Sequence, residues 1–165
     1  MSLEGRTAEE LAAAVVAAFR ASGRRLVLAE SCTGGLIAGA ITEVAGSSMV
    51  LERGWVTYSN LAKQEELGVG AAILEAHGAV SAETAAAMAA GALAHAPADV
   101  AVALSVTGIA GPGGGSAEKP VGLVWFGLAR RDGGPALVDC HIFPGDRAGV
   151  RGAAVRRGLE VLLRS

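Results

Sequence analysis

At 165 residues, with 52% hydrophobic and 18% charged side chains, the chain is long enough to bury a core and too apolar to be disordered. A formal net charge of −2 with no basic run excludes the electrostatic footprint of a nucleic-acid or membrane-surface binder, which leaves a small molecule or a protein as the expected partner. Two cysteines far apart in sequence, Cys32 and Cys140, with no secretory signal, argue against a disulfide framework and for a cytoplasmic protein.

In chain order, Ala8 to Arg20 places Leu11, Val15 and Phe19 four residues apart, an amphipathic helix ending near Gly23. Leu26 to Ala29 is a short apolar strand that runs through Glu30-Ser31-Cys32-Thr33 into a glycine pair and a helix over Gly34 to Val44. Met49 to Tyr58 reads as one or two strands interrupted near Arg53-Gly54. Asn60 is placed to cap a helix carrying Lys63 and stopped by Gly68. A short helix over Ala71 to Ala76 closes at His77-Gly78, and Ser81 opens an alanine-rich helix that runs to His95.

Asp99 to Val106 is apolar nearly throughout, the pattern of a central strand covered on both faces, and it empties into a glycine-rich loop, Thr107 to Ser116. The uncharged run from Val100 to Ala117 approaches the length of a membrane span, but Pro112 and its bunched glycines would leave backbone groups unpaired in lipid. Gly122 to Ala129 and Ala136 to Phe143 form a hairpin around Asp132-Gly133-Gly134. Asp146 caps a last helix with a stripe of Ala148, Gly152, Val155, Leu159 and Leu162. Parallel neighbours need the helical crossovers seen early in the chain, while the late hairpin forces antiparallel pairing. Residues 1–165 are therefore expected to form one α/β domain, a three-layer α/β/α sandwich with a mixed, mostly parallel central sheet.

Three places invite chemistry. At the turn after the first strand, unpaired amides and the helix dipole can hold a developing oxyanion beside Ser31 as nucleophile; the alternative is that Ser31 or Thr33 simply caps the helix. The glycine loop lies at the carboxyl end of a strand, where open α/β sheets bind ligands, although it is neither a Walker A nor a dinucleotide fingerprint. Arg147 and Arg151, four apart at the start of the last helix, oppose the helix dipole unless something negative is near: a phosphate, or a carboxylate on a neighbouring helix. None of His77, His95 and His141 sits in a motif that points to Ser31. Lys63, close behind Tyr58, can share its pocket and act as a base if it is partly desolvated; otherwise it is a surface charge. Cys32 reads as a buried small hydrophobe rather than a nucleophile, and no cluster has metal-ligand spacing.

Glu30-Ser31-Cys32-Thr33-Gly34-Gly35, Ala45-Gly46-Ser47-Ser48, Gly54 to Asn60, Lys63, His77 to Ser81 and Thr107 to Gly114 closely resemble the CinA C-terminal domain family, over nearly the whole chain. The resemblance implies nicotinamide-nucleotide amidohydrolase (NMN deamidase) activity: hydrolysis of the carboxamide of nicotinamide mononucleotide (NMN) to nicotinate mononucleotide and ammonia, in pyridine-nucleotide recycling. By the same resemblance Ser31 is the nucleophile, Lys63 with Tyr58 its activators, and the amides at Thr33, Gly34 and Gly35 the oxyanion site. Thr107, Gly108, Ala110, Gly111 and Gly113 are implied to lie against the nucleotide, Ser48 to line the pocket and Arg147 to meet the phosphate. No metal or organic cofactor is expected, and the partners implied are NMN and further copies of the chain, with neither nucleic acid nor membrane. The competing reading is a non-catalytic nucleotide-binding or protein-interaction module of a competence- or damage-associated assembly.

Overall fold

A computed structural model describes residue 3 and residues 5–165. The first helix, α1 (Ala8–Ala21), opens with a capping box in which Thr7 and Glu10 satisfy each other's backbone amides. It leads through Gly23 into β1 (Arg25–Glu30). After β1 come α2 (Leu36–Thr42), a 3₁₀ turn (Ser47–Met49) and β2 (Leu51–Val56). Three helices follow, α3 (Asn60–Leu67), α4 (Ala71–His77) and α5 (Ala82–His95). The chain then enters β3 (Val100–Gly108), β4 (Leu123–Arg130) and β5 (Leu137–Ile142) before ending in α6 (Arg147–Leu163).

The five strands lie in the order β2-β1-β3-β4-β5. Pairing is parallel across β2, β1 and β3 and antiparallel from β3 to β5, so the sheet is mixed for the reason expected, helical crossovers first and a hairpin last. The side chains of Leu26 and Leu28 join a core with Leu11, Val15, Phe19, Ile37, Ile41 and Leu159 from α1, α2 and α6. Those of Val27 and Ala29 join Leu67, Leu74, Met88 and Ala92 from α3, α4 and α5 on the other face. Alternate residues of one strand thus feed two cores, which makes three layers.

Three local expectations change. β2 runs unbroken through Arg53-Gly54; the irregularity is a register shift in which Leu26 faces Leu51 while Val27 faces Arg53, leaving Glu52 as the extra residue of a bulge. Ser59, not Asn60, caps α3, accepting a bond from the Ala62 amide. On α6 the buried stripe is Val150, Ala154, Val155, Gly158, Leu159 and Leu162, while Ala148 and Gly152 are exposed.

Two devices fix α5 against the sheet. The Ser105 hydroxyl donates to the Ala85 carbonyl at 2.6 Å, and a Cβ at Gly127 would stand 2.3 Å from that same oxygen. Only a glycine lets β4 approach the helix this closely. The consequence is positional: the segment leading into α5, Ala79 and Val80, is held at the carboxyl ends of the strands.

Candidate active site

The first crossover runs from β1 through α2 to β2 on one side, and the next runs from β2 through α3, α4 and α5 back past β1 to β3 on its other side. That reversal opens a crevice at the carboxyl ends of β1 and β3. Backbone bonds draw three strand ends together there: Ser31 N–H donates to Val106 at 2.9 Å and Thr57 N–H to Glu30 at 2.9 Å. A cavity of about 270 Å³ sits at this point. Ser31, Tyr58, Lys63 and Arg147 line it together with Thr107, Gly108, Ala110, Gly111 and Gly113 from the glycine loop. Cys32, Ala79 and Val80 also line it, and sequence reasoning gave them no site role. Nothing in the chemistry of an alanine and a valine before a helix marks them; their place follows from the seating of α5.

Lys63 enters this cavity from the second half of the first turn of α3 and is 1% exposed. Its Nζ lies 3.0 Å from Ser31 Oγ, 2.7 Å from the Thr57 carbonyl and 3.4 Å from the Tyr58 carbonyl. No carboxylate pairs with it among the described residues, and burial pulls its pKa down from 10.5 to about 8. When Lys63 is neutral, the two backbone carbonyls can take its two N–H bonds, leaving the nitrogen lone pair for the Ser31 hydroxyl. The Cys32 thiol is driven the other way, to about 11, chiefly by burial and secondarily by the Glu30 charge, which keeps it protonated at neutral pH.

Tyr58 shares the cavity with Lys63, as expected, but its hydroxyl bonds to Arg147 rather than to the amine. It is 61% exposed, and its hydroxyl accepts a 3.0 Å bond from Arg147; only its carbonyl meets Lys63. Among the described residues no hydrogen bond joins the phenol to Lys63 or Ser31. Arg147 also donates to the Gly111 carbonyl at 2.8 Å, so one guanidinium ties the end of β2, the glycine loop and the start of α6 across the cavity mouth.

The turn after β1 corrects the expected oxyanion site. Neither Ser31 nor Thr33 caps α2, whose capping position is Gly35 without a side-chain bond. Glu30 does that work from below: its carboxylate, 2% exposed as a residue, accepts from the amides of Gly35 (3.1 Å), Ile37 (3.1 Å) and Ala38 (2.9 Å) and from the Thr33 hydroxyl (2.6 Å). The Gly34 amide is spent on the Ser31 carbonyl at 3.0 Å. Gly34 and Gly35, at φ +60° and +94°, supply the left-handed backbone this turn needs rather than donors to a ligand. Among the described residues, the amides of Cys32 and Thr33 have no protein acceptor, and they directly follow the serine.

Ser48 is corrected as well. It precedes β2 and so belongs to the amino edge of the sheet, about 16 Å of strand away from the cavity at ~3.3 Å per residue. It is exposed there. Thr107 is 1% exposed, with its hydroxyl bonded to Ala79 at 2.7 Å, which ties the glycine loop to the segment before α5. The second arginine meets no carboxylate: Arg151 Nε donates to the Cys32 carbonyl at 3.1 Å and Nη2 to the Thr33 carbonyl at 3.3 Å, and the side chain also lines a second hollow, of about 640 Å³, beside the cavity. Both arginines therefore oppose the helix dipole for the sake of backbone carbonyls. Among the described residues no group of His, Cys, Asp and Glu side chains is disposed to hold a metal ion, and no helix is long and apolar enough to cross a membrane.

Residues 8–165 match the model of the CinA C-terminal domain. The chain belongs to this family. The nicotinamide-nucleotide amidohydrolase PncC of Enterobacter agglomerans is 56% identical to this CinA C-terminal domain over 155 residues, 94% of the chain and 93% of that protein. A CinA-like protein of Akkermansia muciniphila is 51% identical over 150 residues, 91% of the chain but 36% of that longer protein. The crystal structure of the competence/damage inducible protein CihA from Agrobacterium tumefaciens matches the whole domain with a TM-score of 0.91 at 50% identity. Similarity at these levels extends over all the elements that build the cavity.

Proposed function

We propose that this protein hydrolyses the carboxamide of nicotinamide mononucleotide, with Ser31 as nucleophile and Lys63 as general base. The observation that carries the reading is the 3.0 Å contact between Ser31 Oγ and a buried lysine nitrogen whose remaining neighbours are backbone carbonyls. The PncC relative, 56% identical across nearly its full length, supports the substrate.

Chemistry follows from the charges. Neutral Lys63 takes the Ser31 proton while Oγ bonds to the amide carbon, and the carbonyl oxygen becomes an oxyanion that the free amides of Cys32 and Thr33 can receive. The oxyanion then sits near a lysine that has just become cationic. Collapse breaks the C–N bond, and Lys63 returns the proton to the departing nitrogen, which leaves as ammonia. A water molecule, deprotonated by the same lysine, attacks the acyl-enzyme and releases the carboxylate and Ser31. Arg147, reaching across the mouth, is the group for the nucleotide phosphate, and the second hollow of about 640 Å³ that shares Ala110 and Arg147 with the cavity gives the substrate room beyond its ring.

We infer further that the protein works in the cytoplasm, where its two unpaired thiols stay reduced. A homo-oligomer fits the exposed apolar side chains of Val56 and Leu61 beside the site. Ammonia release from NMN by the purified protein tests the activity. Turnover is expected in the wild type and a loss on the order of 10³-fold or more in Ser31→Ala and Lys63→Ala, and Ser31→Ala turning over at the wild-type rate would end the assignment.

A further inference from the structure

The Ser31 turn presents two amides with no protein acceptor among the described residues, and the direction of each is set by the carbonyl on the other side of its own peptide bond. In a trans peptide the C=O and N–H point in opposite directions, so whatever grips the carbonyl aims the hydrogen. For the Ser31–Cys32 peptide the grip is internal to the turn: Gly34 N–H donates to the Ser31 carbonyl at 3.0 Å and turns the Cys32 N–H away from it. For the Cys32–Thr33 peptide no turn amide does this. The carbonyl of Cys32 is held instead by Arg151 Nε at 3.1 Å, from a helix 119 residues away in the chain. Its Nη2 also takes the Thr33 carbonyl at 3.3 Å, which Leu36 N–H already shares at 3.1 Å.

We propose that Arg151 is a positioning residue for the amide hydrolysis inferred above: it clamps the Cys32–Thr33 peptide so that the Thr33 N–H faces the reacting oxygen. The geometry accounts for a cation at the start of a helix, where it opposes the dipole and has no carboxylate partner. It also accounts for a residue with two donors on adjacent carbonyls, since a single bond would leave the peptide free to swing about it. A lysine offers a flexible point charge in place of the planar fork and would reach the carbonyls without fixing their orientation. Gly34 belongs to the same device, because a Cβ there would lie 3.3 Å from Arg151 Nη2. The proposal rests on the amidohydrolase reading for its effect on rate, but the orientation of the peptide can be measured without any substrate.

Two measurements on the intact protein separate the outcomes. In steady-state NMN hydrolysis, Arg151→Met should lower kcat on the order of 10²-fold, the usual effect of losing one oxyanion donor, while KM changes by less than about threefold. Arg151→Lys should recover part of that loss. A raised KM with kcat retained would instead make Arg151 a phosphate ligand alongside Arg147 and overturn the proposal. In ¹⁵N-labelled protein without substrate, the Thr33 amide should give one narrow resonance in the wild type and a broadened or doubled one in Arg151→Met, with the amides of Val27 and Leu104 unmoved. An unchanged Thr33 resonance would refute the clamp even if NMN proved not to be the substrate. Should Arg151→Met fail to fold, Arg151→Lys carries the same two readouts, because it keeps the cation and removes the rigid planar fork.

Discussion

Lys63 should give the protein a pH dependence in two independent assays. Its pKa, brought from 10.5 to about 8 by burial, leaves about one molecule in ten with the neutral amine at pH 7. That is roughly 300-fold more than a solvated lysine would offer at that pH. If neutral Lys63 is the base, kcat/KM for NMN rises about tenfold between pH 7 and pH 9 and then levels, with an apparent pKa near 8. The same proton affects stability. A folded-state pKa below the unfolded one means that the charge opposes folding, fully below pH 8 and progressively less as pH rises toward 10.5. At 1.36 kcal/mol per pH unit the effect reaches about 3 kcal/mol. In Lys63→Met the two carbonyls and Ser31 lose a donor at every pH, so the absolute stability change mixes costs. The difference between variant and wild type should nevertheless shift by about 3 kcal/mol against the variant from pH 8 to pH 10.5, read by urea unfolding. A rate profile flat from pH 7 to 9, or a difference that does not move with pH, would refute a desolvated base.

Three further outcomes are expected. Glu30→Gln cannot accept all four donations and should destabilise by about 2 kcal/mol, lowering Tm by about 4 to 8 °C in calorimetry. Gly127→Ala forces a methyl against the Ala85 carbonyl and should cost about 1 to 3 kcal/mol in urea unfolding, as overpacking does. Arg147→Ala should raise the KM for NMN about tenfold or more with little change in kcat, the loss of a charge-assisted contact remote from the reacting carbon.

Much of this architecture is legible in the residues. Apolar β1 and β3, the alanine-rich α5 and the hairpin after Arg130 each carry a local signal that agrees with the final fold. Ser31 and Lys63 were candidates from their surroundings, yet nothing in their spacing of 32 residues says that Nζ meets Oγ; that needs β2 paired alongside β1 and α3 starting where β2 ends. Of the three amides expected to receive the oxyanion, Gly34 and Gly35 are already bonded and Thr33 is not; helix-start amides look free until their acceptors are known, and Glu30 reads as the last residue of a strand. Ser48 failed for a different reason. It lies near the site in sequence, but a parallel strand must return to the amino edge of the sheet before it begins, so the turn containing Ser48 is carried away from Ser31.

A buried carboxylate beneath the nucleophile has a consequence for turnover. Amide hydrolysis ends in an anion at the position where a neutral group was bound. Had the start of α2 opened into the cavity, its unmet hydrogens would embrace that anion and delay its departure. Because Glu30 already accepts the amides at the start of α2, the proposed reaction would leave its carboxylate product facing a like charge beneath the turn rather than unmet helix hydrogens, which favours release.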